Sequence, residues 1–136
     1  KPYMASRIFS DPKLLKAVNA LIHPAVALAF ENWYAAQKSS YVLREAAILF
    51  ESGSHKDCDH IVVVSASENT RIKRVMTRSS ESLEQVKNRM NKQWPQEEKN
   101  KLADSIIYND ATDPVIPQVL KIHKKLLAAA KGIKRV

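Results

Sequence analysis

Three arginines, Arg71, Arg74 and Arg78, follow one another at spacings of three and four. On a helix that spacing carries all three guanidiniums on one face. Such a cluster repels itself, and a multiply charged anion neutralises it best. Arginine suits phosphate because its planar fork offers paired, charge-assisted hydrogen bonds. Arg89 and Gln93 repeat the pattern further along. One reading is a solvated basic face. The other is a helical lid that closes over nucleotide phosphates.

Further candidates are single residues. His23 precedes Pro24 and either meets a substrate or satisfies a helix-end carbonyl. Glu51 and Asn109 each follow an apolar run. A carboxylate at a strand end can bind substrate, and an amide there can match the donor–acceptor edge of adenine. Both residue types also serve as plain turn residues. His55, His60, His123 and Cys58 lack metal-ligand spacing, so a metal site built only from protein ligands is not expected. Cys58 lies between Asp57 and Asp59, whose charges oppose a thiolate. Trp33 and Tyr34 are not interleaved with basic residues and read as packing residues rather than base-stacking platforms.

The elements that must hold these residues can be read from pattern. Ser10-Asp11-Pro12 starts a helix, with Leu14, Leu15, Val18, Leu21 and Ile22 on one face. Pro24 is expected to end or kink it, and a second helix runs to Gln37 with Val26, Phe30 and Trp33 inward. Residues 41–50 are apolar without alternation, as in a strand buried on both faces. Residues 61–64 are four β-branched side chains in a row, the clearest strand. Ser65 and Glu68 have capping-box spacing for the arginine helix, which carries Ile72, Val75 and Met76. Ser82 and Gln85 open the next helix, with Leu83, Val86 and Met90 inward. Pro95 starts a short helix, residues 105–108 form a strand, and Asp113-Pro114 begins a last helix with Val115, Val119, Ile122 and Leu126 on one face. Strands alternating with helices predict an α/β domain with a parallel sheet. Ligands then belong at the C-terminal strand ends, after Phe50, Val64 and Tyr108.

Composition narrows the function classes. The chain has 136 residues, 45% hydrophobic and 26% charged, with two glycines and a net charge of +8. So few glycines are unusual for a nucleotide-binding chain. The excess charge is uneven: residues 111–136 hold six basic side chains and one acidic. A basic nucleic-acid-binding module is one alternative. The acidic residues mixed through 41–70 and the lack of a binding motif oppose it. One cysteine excludes an intramolecular disulfide. The apolar runs read as too short to span a bilayer, so a soluble, cytoplasmic protein without membrane contact is expected.

Taken in order, several segments resemble the dephospho-CoA kinase family of the P-loop kinase superfamily. They are Arg7-Ile8-Phe9-Ser10-Asp11-Pro12, Leu21-Ile22-His23-Pro24, Ala47-Ile48-Leu49-Phe50-Glu51, residues 59–64, Arg74 with Arg78, Arg89-Met90 with Gln93, and Ala103-Asp104-Ser105-Ile106-Ile107 with Asn109. Ala47 stands where the family usually has proline. The resemblance implies ATP with Mg²⁺ and dephospho-CoA as partners, and phosphorylation of the ribose 3′-hydroxyl in the last step of coenzyme A synthesis. It implies a helical substrate region at 1–37 with Arg7 and His23, core strands at 38–70 with Glu51 near the acceptor, lid helices at 71–103 with Arg74, Arg78 and Arg89, and a closing strand and helix at 104–136 with Asn109 beside adenine. Nothing matches the phosphate loop G-x-x-x-x-G-K-[ST]. The expectation is therefore a partial P-loop kinase sheet whose first strands, phosphate loop and catalytic base lie upstream of Lys1. Such a chain would be inactive alone, and would self-associate or pair with the missing segment. Another P-loop nucleotide or metabolite kinase with a similar lid is the nearer alternative.

Overall fold

The computed structural model describes Arg7, residues 11–79 and residues 81–132. Ser10, expected at the first helix start, and the last basic residues, Lys134 and Arg135, lie outside them. The chain divides into two compact units, Lys1–Val42 and Leu43–Val136.

In the first unit, helix α1 spans Pro12–Ala35. Asp11 caps it, its Oδ1 accepting from the amides of Lys13 at 2.9 Å and Leu14 at 3.2 Å. The expected break at Pro24 does not occur: one helix of 24 residues runs through it. Proline removes one amide from the ladder, but strong helix formers on both sides keep the rest intact. Leu21, Ile22, Val26 and Trp33 are about half exposed or more, against the expected inward faces. The ring of Phe30 instead meets Trp33 at 5.7 Å and Tyr34 at 6.3 Å along the helix. Because the helix is unbroken, its 24 residues are long and apolar enough to cross a membrane, contrary to the short runs expected. Length and composition alone do not put it in a bilayer.

The second unit is built on two parallel strands, β1 (Val62–Ser65) and β2 (Ser105–Tyr108), with Val62 opposite Ser105 and Ser65 opposite Tyr108. Around them lie α2 (Glu68–Ser79), α3 (Leu83–Met90), α4 (Gln96–Leu102) and α5 (Val115–Gly132). Each sheet face receives one helix. Helix α4 reaches the face of Ser65 through Asn100, whose Nδ2 donates to Ser65 Oγ at 3.3 Å. Helix α5 reaches the face of Ser105 and Ile107, where Lys125 Nζ donates to the Asp104 carbonyl at 3.2 Å. Phe50, Val63, Val86 and Ile107 are buried, while Val64 and Tyr108 remain more than half exposed. The both-face burial expected of a parallel sheet is thus only partial, because the two helices are offset diagonally. Among the inward residues expected on α3, Val86 is the most buried, at 2%, but Leu83 is 46% exposed.

Residues 41–50 do not form the expected strand. A strand needs partners for its backbone amides and carbonyls, and no strand pairs with this run among the described residues. Leu43 and Ile48 are exposed. Residues 47–53 turn instead, with the Gly53 amide donating to the Phe50 carbonyl at 3.0 Å. Gly53 takes a left-handed φ of 78°, which a side chain would strain, and a short 3-10 helix, Ser54–Asp57, follows.

The outer edge of β2 is closed by a side chain. Gln118 Oε1 accepts from the Tyr108 amide at 2.9 Å, and its Nε2 donates to the Tyr108 carbonyl at 2.9 Å. One amide side chain thereby imitates a neighbouring strand. Replacing it, Gln118→Ala, should lower stability by about 1–2 kcal/mol. Gln118→Glu, which keeps the acceptor and loses the donor, should fall between. Urea unfolding checks both.

Candidate functional site

The parallel strands end side by side at Ser65 and Tyr108, and the chain segments leaving them meet. The Asn109 amide donates to the Ser65 carbonyl at 2.8 Å, extending the ladder by one bond. Helix α2 begins just past β1. Its cap is Ser67, not the expected Ser65: the Thr70 amide donates to Ser67 Oγ at 3.4 Å. Ser65 is already committed as the buried last residue of β1.

Asp110 binds the start of α2 from across the sheet end. Its Oδ2 accepts from the Ser67 amide at 3.0 Å, and its Oδ1 accepts from the Ser67 hydroxyl at 2.8 Å. A carboxylate at a helix N-terminus also meets the positive end of the helix dipole. Asp110 is itself held: its amide donates to Asp113 Oδ2 at 3.0 Å, and the Asp113 amide donates back to its carbonyl at 3.1 Å. The Thr70 hydroxyl, then the hydroxyl and amide of Ser67, hold the Asp110 carboxyl below its ordinary value of 3.8. The Arg74 charge adds to this, against some desolvation.

Two of the residues predicted from sequence come together here. Arg74 Nη1 donates to the Asn109 carbonyl at 2.8 Å, and Nη2 approaches Asn109 Oδ1 at 3.5 Å. A long helical side chain points back toward the helix N-terminus, which is how Arg74 reaches a loop docked at the first turn. Asn109 keeps its Nδ2 amide without a hydrogen bond among the described residues. A guanidinium and a carboxamide at the end of a parallel sheet can grip an anion and read a base edge.

The other arginines differ from the uniform face expected. Arg71 is part-buried, and its Nε lacks a hydrogen-bond partner. Arg78 is exposed one turn beyond Arg74. Arg89 pairs with Glu81 at 2.8 Å. A cavity of about 470 Å³ between α2 and α3 is lined by Ile72, Met76, Leu83, Lys73 and Lys87. It therefore opens on the side of α2 away from Arg74.

Glu51 lies in the turn of residues 47–53 rather than after a strand. Its Oε1 accepts from the Trp94 amide at 2.8 Å and pairs with Lys99 Nζ at 2.8 Å, and both charged side chains are mostly buried. Burial pushes the Glu51 carboxyl up, but the hydrogen bond and charge of Lys99 and the backbone amides outweigh it, leaving a net lowering. Phe50, His55 and Trp94 stack beside this pair, with ring centres 5.3 to 6.3 Å apart. Arg7 and His23 belong to the first unit, each helical and exposed. Burial raises the Cys58 thiol, and Asp57 and Asp59 add to this against Arg44, which favours the uncharged form. Among the described residues no three His, Cys, Asp or Glu side chains cluster as a metal site would need.

Sequence reasoning missed Ser67, Thr70, Asp110 and Lys99. Asn109-Asp110 carried only a turn signal, and Ser67 and Asp110 are 43 residues apart.

The elements and this sheet-end arrangement define an α/β domain with the small parallel sheet of a P-loop kinase-like fold. A solved structure, that of TT1252 from Thermus thermophilus, superposes with a TM-score of 0.79 at 32% identity, covering 94% of this chain and 65% of that one. The family profile described as dephospho-CoA kinase matches residues 1–114. The dephospho-CoA kinase of Chlorobaculum tepidum is 39% identical over 132 residues, 94% of this chain and 63% of that protein. That of Chlorobium luteolum is 42% identical over 110 residues, 79% of this chain and 50% of that protein. The chain belongs to the dephospho-CoA kinase family, and it spans less than two thirds of the length of these relatives.

A lowered carboxyl contributes stability above its unfolded value, and that contribution disappears as pH falls through the folded value. The stability gap between wild type and Asp110→Asn should therefore hold at neutral pH and narrow from about pH 3.8 downward. Thermal unfolding across an acid series measures it.

Proposed function

We propose that the intact protein carrying this chain transfers the γ-phosphoryl group of ATP to the ribose 3′-hydroxyl of dephospho-CoA, in the cytoplasm, as the last step of coenzyme A synthesis. The 3′-oxygen bonds to the γ-phosphorus, the bond from that phosphorus to the β,γ-bridging oxygen breaks, ADP leaves, and the hydroxyl proton passes to a base. The observation that carries the reading is the Arg74–Asn109 contact at the sheet end of a chain in this family.

Phosphoryl transfer depends mostly on positioning and charge stabilisation. Asn109 Nδ2 donates to adenine. Arg74 and Arg78 face the phosphates, joined by Arg89 once a phosphate outcompetes Glu81. Arg7 and His23 are assigned to the CoA substrate, and Glu51, held by Lys99 and the Trp94 amide, braces the loop after Phe50. The phosphate loop and the base are assigned to the part of the protein outside this chain, since no segment here reads G-x-x-x-x-G-K-[ST]. That part also completes the sheet that residues 41–50 do not extend. Mg²⁺ bound with ATP would supply neutralisation of the phosphate charge, and no residue of this chain is assigned to hold it.

The complete gene product should release ADP from ATP in the presence of dephospho-CoA, and far less with nucleoside monophosphates. Arg74→Ala should lower kcat/KM for ATP by about 100-fold, and the 136-residue chain alone should be inactive. Equal turnover of a nucleoside monophosphate would replace this reading with a different P-loop kinase.

A further inference from the structure

The contact between Arg74 and Asn109 joins residues 35 apart in sequence. Something must hold helix α2 against the loop after β2, because a long arginine side chain does not by itself keep one geometry. Three contacts act there. The Asn109 amide is tied to the Ser65 carbonyl. Asp113 ties the loop to itself through Asp110. Of these three, only Asp110 reaches the start of α2, through the amide and hydroxyl of the capping Ser67 and the hydroxyl of Thr70.

The spacing on the helix completes the argument. Ser67 and Arg74 are seven positions apart, two turns, and so lie on one face about 10 Å apart along the axis. Asn109 and Asp110 are adjacent. The helix is therefore pinned to one short loop at two points, one being the Asp110 cap and the other the Arg74 fork. Releasing the cap frees α2 to rotate or slide, and the guanidinium moves with it.

We propose that Asp110 is a positioning residue for the nucleotide: it clamps the first turn of α2 to the residue beside Asn109, so that the Arg74 guanidinium and the Asn109 carboxamide meet ATP as a preset pair. Asp110 touches neither substrate. It acts through Ser67 on one side and the backbone of Asn109 on the other. This rests on the nucleotide reading of the sheet end given above, but not on dephospho-CoA as the acceptor.

The test uses the complete gene product, with ATP and Mg²⁺ titrated calorimetrically and turnover followed at varied ATP and acceptor. Asp110→Ala should weaken the Kd for ATP and raise its KM by about tenfold, with the KM for dephospho-CoA unchanged. Asp110→Asn, which keeps one acceptor oxygen, should recover part of the loss. Ser67→Ala, which leaves its amide in place, should give a smaller defect of the same kind. In an Arg74→Ala background, Asp110→Ala should add little, because the two act as one unit. If Asp110→Ala fails to fold, Asp110→Asn and Ser67→Ala carry the same test.

A folded Asp110→Ala protein with wild-type Kd and KM for ATP would overturn the proposal. So would equal losses for both substrates, or full additivity with Arg74→Ala. A wild-type protein that binds ATP but leaves dephospho-CoA untouched would overturn the acceptor reading alone, and Asp110 would then be judged on Kd. A wild-type protein that binds no ATP would overturn both.

Discussion

Parallel pairing of two four-residue strands governs the second unit. With Val62 opposite Ser105 and Ser65 opposite Tyr108, both strands finish at one edge. Whatever follows them must then share a small volume, and closing so long a loop costs free energy that only specific contacts recover. The Asn109 amide on the Ser65 carbonyl is the first such contact, and the Ser67–Asp110 bonds are the next. The arginine helix owes its position to this edge rather than to its own sequence.

The same edge redistributes charge. The chain is strongly basic overall, yet its arginines occupy different environments. Asp110 stands beside Arg74, Glu81 holds Arg89, and Glu51 holds Lys99. A ligand with several negative charges would meet a prearranged guanidinium at Arg74, an open one at Arg78, and a competitor at Arg89. Exposed pairs such as Arg89–Glu81 are weak in water and exchange partners at little cost. The mostly buried Glu51–Lys99 pair, next to the stacked rings of Phe50, His55 and Trp94, is a fastening between the 47–58 loops and α4.

The sheet is asymmetric. Gln118 closes the outer edge of β2 with one side chain, whereas no strand pairs with the other edge of β1 among the described residues. Val64, more than half exposed between buried Val63 and Ser65, belongs to that incompletely covered side. Residues 41–50 carry the apolar content of a buried strand without its pairing among the described residues. Composition offered a buried strand, but among the described residues no partner strand pairs with it.

Local signals were read well from sequence. The capping box at Ser82 and Gln85 is present in full, the β-branched run became β1 shifted by one residue, and residues 105–108 became β2. Periodicity placed Arg71, Arg74 and Arg78 on one helix. These features depend on neighbours within a few positions, which the sequence states directly. Pro24, residues 41–50 and the choice of Ser67 over Ser65 as cap went differently, because each was settled by flanking helix, missing strand or strand end. The meeting of Arg74 with Asn109, the clamp from Asp110 and the burial of Glu51 against Lys99 were decided only by tertiary structure. Hydrogen bonds across 35 to 43 residues leave no periodic trace along the chain; they exist only once a sheet has brought its strand ends together.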